Sequence, residues 1–392
     1  MEARYRYRLR VSDIQARQLQ EVFDSCRFVW NTALGRWGDL WRYEQVSLSC
    51  VDMAAELTDW RGRYDWLAAL PVTPQQQVLR DLGRAVAAFY DKNNPAGRPR
   101  FKKKRSLASA SWNVNGFALR DGRLALAVAG GRSLLRVVWS RPLPSPPKSV
   151  TVYRDPAGRW WASFVTRLEP DPVAATGEST GVDVGLNTFA TTEFPDADVP
   201  NPRFARAAAA ALARSQRNLA GKKRGSKNRA KAKTAVAKVH ATVAAQRADF
   251  VHKQARTLAR RFERIGVEKL QVKNMSAKGT GRAKAGLNRS IADAGWAQFL
   301  AVLDWQARKA GHQVVALNPS GTTQTCSRCG VKAKRRLGLA DRVFCCEDCG
   351  LVEDRDRNAA RNLNPDRWDK TVRVGQGVDG TKTKTSAERP AA

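Results

Sequence analysis

Two acidic residues lie in short apolar stretches, where an ionised carboxylate is costly to bury, and a third lies in an acidic cluster further along the chain. Asp183 lies within residues 181–187, GVDVGLN, and Glu268 ends the apolar run IGVE. Asp356 lies in a later acidic cluster, EDRDRN, that predicts a helix beginning near Asp356. A divalent cation is the usual counter-charge for buried carboxylates. Three carboxylates from two strands and a helix could hold two Mg²⁺ ions about 4 Å apart, one activating water and the other stabilising the leaving 3′-oxygen.

Each acid also has a simpler explanation when taken alone. Asp354 and Asp356 suit the start of a helix, where carboxylates cap free backbone amides. Glu268 could pair with Lys269 or with a nearby arginine. The hypothesis of a metal site therefore rests on the three acids together.

Four of the seven cysteines form two C-x-x-C pairs near the C-terminus, Cys326 with Cys329 and Cys346 with Cys349. Two such pairs predict a tetrahedral four-thiolate site for a structural Zn²⁺, because every ligand position is filled and none remains open for chemistry. Cys345, next to the second pair, would give the less usual C-x3-C spacing. We therefore expect Cys346 to be the ligand.

The chain is strongly basic, with 69 Lys and Arg against 36 Asp and Glu and a net charge of +33. Such a surface repels itself unless a polyanion neutralises it, which makes nucleic acid the leading partner and an anionic membrane the competing one. The sequence contains no run of 18 apolar residues, so we expect no membrane-spanning helix. Residues 1–10 lack the apolar core of a signal peptide. These features predict a cytoplasmic protein without a membrane partner.

The pattern of apolar residues predicts the elements that carry these groups. Residues 3–10 alternate as a strand, residues 14–37 and 75–90 have helical spacing, and Ser12 or Asp13 could cap the first helix. Short strands between residues 117 and 167 predict a small barrel. Residues 203–263 predict basic helices. The polar tail after Asp369 is expected to be disordered.

The order of these parts resembles the TnpB family, which is related to the compact type V CRISPR effectors. GVDVGLN resembles the first RuvC motif, GVEKLQVKNM the second and DRNAA the third, and the cysteine pairs resemble the family's inserted zinc ribbon. The resemblance implies that Asp183, Glu268 and Asp356 are the catalytic Mg²⁺ ligands. Thr323, where Ser is commoner, and Cys345 depart from the family pattern without touching the acids.

The resemblance implies a multidomain α+β protein in which an RNase H-like RuvC α/β domain is interrupted by the ribbon. Its expected parts are a wedge β-barrel (1–11 and 95–170), a helical recognition insertion (12–94), a RuvC-like nuclease (178–320 and 353–368), a zinc ribbon (321–352) and a disordered tail (369–392). It also implies a guide RNA, a double-stranded DNA target cut on both strands beside a short motif, and one protein per RNA. The expected location is the bacterial cytoplasm, at the nucleoid.

Basic side chains in three places are expected to contact nucleic acid. They are Arg98, Arg100, Lys102, Lys103, Lys104 and Arg105; Lys222, Lys223, Arg224, Lys227 and Arg229; and Arg342. A charge run can instead be only a solvated face. Three other functions stay open: a guide-independent RNase H-like transposase or recombinase, an RNA-guided repressor that does not cut, and a basic RNA-binding protein with a zinc ribbon.

Overall fold

The computed structural model describes residues 1–45, 49–92, 96–104, 108–276, 281–318, 321–335, 337–338 and 341–367. Arg105 and the expected disordered tail, residues 369–392, lie outside the described residues. The chain divides into two units, one of residues 1–169 with 222–238 and the other of residues 170–221 with 239–392.

The first unit begins with a strand and four helices. Their bounds are β1 Glu2–Arg10, α1 Asp13–Tyr43, α2 Cys50–Arg63, α3 Asp65–Ala68 and α4 Val72–Tyr90. Ser12 caps α1, because its side chain accepts from the Gln15 amide while the Gln15 side chain accepts from the Ser12 amide. The helices predicted over 14–37 and 75–90 are confirmed, and α2 is an additional one.

Six more strands complete one antiparallel sheet in this unit. They are β2 Ser109–Asn113, β3 Phe117–Arg120, β4 Arg123–Val128, β5 Gly131–Val138, β6 Ser149–Arg154 and β7 Trp160–Arg167. The order is β2-β6-β7-β1-β5-β4-β3, so the first strand of the chain lies at the centre. Over the described residues the edge strands β2 and β3 share no ladder, so the predicted barrel is a curled half-barrel.

One apolar core joins the concave side of this sheet to the helices. Trp112, Phe164 and Leu135 of the sheet and Trp37 and Leu19 of α1 are all buried in it. Alternate residues of β5 and β7 point into this core, which explains the period of two in their sequences.

The second unit contains a sheet of three parallel strands. From β8 to the third strand, the elements along the chain are β8 Ser179–Val182, β9 Thr188–Ala190, a 3-10 turn Pro195–Ala197, β10 Val199–Pro200, α5 Phe204–Ala207, α6 Ala209–Ala220, α7 Lys227–Arg261, β11 Arg264–Glu268, α8 Val272–Met275, α9 Arg282–Ala294, α10 Trp296–Ala310 and β12 Gln313–Leu317. Residues 227–238 of α7 belong to the first unit. Strand β11 lies between β8 and β12, and β9 pairs with β10. Helix-containing connections link the parallel strands, as parallel pairing requires.

An isolated bridge between Asp183 and Thr191 continues β8 into the β9–β10 pair. The strands therefore follow one another in the order β10-β9-β8-β11-β12. The core over this sheet contains Val182, Phe189, Phe262 and Phe299. None of the helices in the described part of the chain is long and apolar enough to cross a membrane.

The cysteine-rich segment of this unit forms a small hairpin followed by the last helix. The bounds are β13 Val343–Cys345, β14 Val352–Asp354 and α11 Arg355–Asn362. Phe344 and Leu351 form a separate small core with Cys326 and Cys346. Helix α11 begins one residue before Asp356, as the sequence predicts.

Candidate nuclease and metal sites

Asp183 and Glu268 lie next to each other at the carboxyl ends of two parallel strands. Val182 of β8 is the register partner of Val267 of β11, and the two acids are the next residues along each strand. The backbone of Asp183 exchanges two hydrogen bonds with Thr191, at 2.9 and 2.8 Å, which fixes the strand beyond β8. The carboxyl edge of a parallel sheet is where such folds place their ligands.

Helix α11 lies directly on this sheet because glycines occupy the two contact positions. Gly181 and Gly266 are register partners on β8 and β11. A methyl group at Gly181 would lie 1.9 Å from the Ala360 carbonyl oxygen, and one at Gly266 would lie 1.7 Å from the Leu363 carbonyl oxygen. Only a residue without a Cβ allows this approach. The two glycines therefore set the height of the helix that carries Asp356.

Asp354, rather than Asp356, caps α11. Its Oδ1 accepts hydrogen bonds from the amides of Asp356 and Arg357, at 2.9 and 3.0 Å. The carboxylate of Asp356 instead faces two guanidinium groups, with Arg355 Nε at 3.7 Å and Arg342 Nη1 at 3.8 Å. The capping explanation therefore applies to one acid of this cluster and leaves Asp356 to be explained.

The three predicted acids are electrostatically coupled. Burial raises the pKa of Asp183 to about 8, the charges of Glu268 and Asp356 raise it as well, and Arg355 lowers it. Burial also raises the pKa of Glu268, while the hydroxyl of Thr322, which donates to Glu268 Oε1 at 2.8 Å, lowers it. Like charges and burial together disfavour full ionisation, so the cluster favours a cation.

Arg355 is a feature of this site that the sequence did not indicate. Its side chain is 12% exposed, its Nη1 donates to the Gly338 carbonyl, and its amide donates to the Arg342 carbonyl. Thr322 was also missed, because its role depends on a contact 54 residues away in sequence. Neither residue belongs to a spacing pattern that could have identified it.

Two asparagines of α11 hold the helix against the cysteine-rich segment. Asn358 accepts from the Ser327 amide at 2.8 Å and donates to the Thr325 carbonyl at 2.8 Å. Asn362 donates to the carbonyls of Thr322 and Thr325, at 2.8 and 2.6 Å. The helix that carries Asp356 is thus joined to the segment that carries the cysteines.

The four predicted cysteines form one cluster whose sulfur atoms all lie within 4.8 Å of one another. Cys326 and Cys349 have their sulfurs 3.5 Å apart, and Cys329 and Cys346 3.6 Å apart. Tetrahedral Zn–S bonds of about 2.3 Å place sulfurs about 3.8 Å apart, so the geometry fits zinc. Cys345 is exposed and lies outside this group.

Within the described residues, the four cysteines are the only group of three or more His, Cys, Asp or Glu side chains close enough together to hold one metal ion. Although burial opposes it, amides of Cys329 and Arg328 that donate to the sulfur lower the pKa of Cys326. A thiolate that backbone amides stabilise is suited to binding a metal ion.

The basic residues predicted near position 100 are partly structural. Backbone carbonyls of Arg100 and Lys102 accept from side chains of α1, and Lys102 Nζ lies 3.9 Å from the centre of the Trp30 ring. Burial lowers the pKa of Lys102. The guanidinium carbon of Arg98 lies 5.4 Å from the centre of the Trp37 ring. Lys103 and Lys104 are exposed.

The second basic group is more fully exposed. Lys222, Lys223, Arg224 and Lys227 face solvent where α7 begins, whereas Arg229 is half-buried and donates to the Lys222 carbonyl at 2.9 Å. Arg342 is half-exposed beside Asp356. The structure thus places Arg342 at the acids.

Three family models match the chain. Residues 163–278 match a family described as "Probable transposase", residues 296–363 match "Cas12f1-like, TNB domain", and residues 1–45 match "Helix-turn-helix domain". The first match contains Asp183 and Glu268, and the second contains the four cysteines and Asp356.

Several curated relatives extend the likeness to most of the chain. A Streptomyces pristinaespiralis protein named "Putative RNA-guided DNA endonuclease" is 36% identical over 92% of this chain and 88% of its own. The Escherichia coli (strain K12) protein named "Putative RNA-guided DNA endonuclease InsQ" is 33% identical over 92% of this chain and 90% of its own. A "TnpB-like protein" of Acanthamoeba polyphaga mimivirus is 31% identical over 57% of this chain and 44% of its own.

A solved structure shares the fold. The Cas12f1 protein in a complex with sgRNA and target DNA matches with a TM-score of 0.59 and 14% identity, over 90% of this chain and 83% of that chain. At this identity the likeness concerns the fold alone, which is mixed α/β.

Proposed function

Because the chain belongs to the TnpB family, we propose that it is an RNA-guided, Mg²⁺-dependent DNA endonuclease that cuts both strands of its target with one RuvC-like site. The relatives named as RNA-guided DNA endonucleases support the reaction class. Base pairing with the guide would read the target sequence, while the protein reads a short adjacent motif.

One observation carries the nuclease proposal. Asp183 and Glu268 end neighbouring parallel strands, and their charges, with that of Asp356, raise the pKa of Asp183. If the three acids had only a structural role, cationic side chains of the protein would be expected to neutralise their charge. Arg355 and Arg342 face Asp356 but neutralise the cluster only partly, since the pKa of Asp183 remains raised to about 8. Divalent cations are the remaining way to stabilise the ionised cluster.

The acids fit Mg²⁺, which prefers carboxylate oxygens. Asp183, Glu268 and Asp356 would hold the metal ions, which supply an activated water and a counter-charge for the leaving 3′-oxygen when bound. Thr322 orients Glu268 through its hydroxyl. Arg355 and Arg342 offset the charge of Asp356, and Arg342 is exposed enough to meet a phosphate.

The strand order supports an RNase H-like domain. Three parallel strands continue through the Asp183–Thr191 bridge into an antiparallel pair, and the first and second acids lie at the ends of the neighbouring strands β8 and β11.

A structural zinc ion is a separate proposal. Cys326, Cys329, Cys346 and Cys349 would hold Zn²⁺ as a structural ion, because four thiolates complete its coordination.

Guide RNA and target DNA are the proposed partners, with one protein per RNA. The exposed lysines and arginines near positions 100 and 224 would contact their phosphates. Lys102 and Arg229 would contribute less than their neighbours, because each is already engaged within the protein.

A guide-independent transposase is the second candidate, favoured by the family description that matches residues 163–278. Such an enzyme would use the same acids, so the site alone does not separate the two. The difference lies in whether RNA selects the target. A repressor that does not cut would not need an intact set of three acids.

The test begins with the RNA that co-purifies with the protein expressed from its native locus. Sequencing should find one abundant species that ends in a variable segment. The complex should then cut, with Mg²⁺, a plasmid that matches this segment and leave a mismatched plasmid intact. Asp183→Ala should lose cutting and keep the RNA, while Asp249→Ala, on the exposed side of α7, should behave as wild type.

Different outcomes contradict different parts of the proposal. Equal cutting of both plasmids would support the unguided transposase. Undiminished cutting by Asp183→Ala would show that this acid is not a metal ligand. Binding to the matched plasmid without cutting by the wild type would support the repressor.

A further inference from the structure

A polar cavity of about 210 Å³ opens in the second unit, at the tip of the hairpin that follows Asp183. Its volume is several times the roughly 30 Å³ that one water molecule occupies in the liquid. The polar residues that line it are Asn187, Asn201, Arg203, Arg206, Ser290 and Asp293. None of them belongs to the acid or cysteine clusters.

The backbone at the rim of the cavity is held in an uncommon conformation. Arg203 has a φ of 49° and a ψ of 49°, the left-handed region that residues with a Cβ rarely adopt. Two side chains stabilise it through one acceptor, because Asn201 Nδ2 and Arg203 Nη2 both donate to the Leu186 carbonyl, at 2.8 and 3.2 Å. Such conformations concentrate at ligand-binding positions.

The charge of the cavity is positive. Its one acid, Asp293, is 10% exposed and accepts from the amides of Ala205 and Arg206. Arg247 compensates the Asp293 charge through a contact of 3.2 Å. Arg203 and Arg206 have no acidic partner among the residues that the structure describes. Because Arg247 neutralises Asp293, the positive charges of Arg203 and Arg206 are left over at this site.

The ligand chemistry follows from these groups. Guanidinium groups bind phosphate oxygens in a fork geometry, and the amide groups of Asn187 and Asn201 add neutral polar contacts. A metal cation does not fit the cavity, because its one acid, Asp293, is already paired with Arg247. Guanidinium groups bind carboxylates as well as phosphates, but on a strongly basic chain whose proposed substrate is DNA the anion within reach is a phosphodiester.

The position of the cavity relates this phosphate to the acids. Asn187 follows Asp183 by four residues, which bounds the separation of their Cα atoms to about 14 Å. In a nucleic-acid strand with a rise of about 3.4 Å per nucleotide, this distance corresponds to about four nucleotides. We propose that the cavity binds one phosphodiester of the DNA strand being cut, within about four nucleotides of the bond that is broken.

This inference rests on the proposed nuclease function and adds a positioning contact to it. A phosphate contact fixes the register of the strand over the acids without reading its sequence. Its loss should weaken DNA binding and shift or blur the cut position. Guide RNA binding should be unaffected.

The experiment replaces single phosphates of the target strand by uncharged methylphosphonates. Binding of the guide-loaded protein is measured without Mg²⁺, for the wild type, for Arg206→Gln and for Arg214→Gln, a control on the exposed side of α6. One or two adjacent methylphosphonates should weaken wild-type and Arg214→Gln binding roughly two- to tenfold. Arg206→Gln should bind unmodified DNA more weakly and should not respond to those positions.

A wild type and an Arg206→Gln variant that respond alike at every position would overturn the cavity proposal. The scan measures binding only, so its outcome does not depend on cutting. Intact cutting without a position-specific difference contradicts the cavity alone. A position-specific difference without any cutting in Mg²⁺ contradicts the nuclease proposal alone.

Discussion

Replacing Asp183 by asparagine should stabilise the second unit when Mg²⁺ is absent. Burial and the neighbouring acids raise the pKa of Asp183 from 3.8 to about 8 in the folded protein. Between these values the folded state holds a proton that the unfolded state has released. The free energy of unfolding must therefore fall as the pH rises from about 4 to about 8, and asparagine removes this dependence.

The size of the effect follows from the two pKa values. One pKa unit corresponds to about 1.36 kcal/mol, so at pH 7 the wild type should be less stable than Asp183→Asn by about 4 kcal/mol. At pH 5 the difference should shrink to about 2 kcal/mol, because pH 5 lies only a little above the unfolded pKa of 3.8. Solvent that reaches the half-buried carboxylate makes both figures upper bounds.

Hydrogen exchange measures this difference at the site itself. Peptides that cover β8 and β11 should exchange more slowly in Asp183→Asn than in the wild type, after correction for the intrinsic rate at each pH. Added Mg²⁺ should reduce the difference in exchange rate between the two proteins. It binds the carboxylate of the folded wild type and so stabilises that state, whereas asparagine offers no such ligand.

Asp249→Asn is the matched control, because this acid lies exposed on α7 beside Lys253. Its effect should stay below about 0.5 kcal/mol at every pH. A raised pKa of Asp183 is refuted if Asp183→Asn behaves like this control. It is also refuted if the stabilisation is larger at pH 5 than at pH 7, since a raised pKa predicts the opposite order.

Three further changes test how the sites are built. Gly266→Ala should push α11 off the sheet and lower both the melting temperature and the cutting rate, whereas Gly286→Ala, with open space around it, should do neither. Cys346→Ser should lower the zinc content of the purified protein, measured by mass spectrometry, while Cys345→Ser should retain it. Thr322→Val removes the donor to Glu268, so the Mg²⁺ concentration for half-maximal cutting should rise about tenfold, and an unchanged requirement would exclude its role.

The sequence predicted most of the elements that carry the candidate sites. Apolar residues around Asp183 and Glu268 predict strands, because a short run of branched side chains buried on both faces is typical of a parallel sheet. The C-x-x-C spacing predicts which cysteines meet, because two residues between thiols allow both to reach one point. These signals are local, so they can be found without the fold.

Contacts between distant parts of the chain could not be predicted in this way. The approach of α11 to Gly181 and Gly266 depends on the register of two strands separated by more than 80 residues. The spacing of the strands and the family resemblance both predict a small barrel, but neither determines whether the edge strands β2 and β3 meet. The second helix was missed because its apolar stripe is short and lies between basic and acidic residues.

The acid cluster and the cysteine cluster are joined by hydrogen bonds through Thr322 and helix α11. Thr322 donates to Glu268 through its hydroxyl and accepts from Asn362 of α11 through its carbonyl, four residues before the first cysteine. Asn358 of the same helix holds the cysteine-rich segment between Thr325 and Ser327. A change in the fold of that segment must therefore move both the donor to Glu268 and the helix that carries the third acid. Zinc at the cysteines would in this way position the acids without touching them, because the contacts between the sites are direct hydrogen bonds rather than a flexible linker.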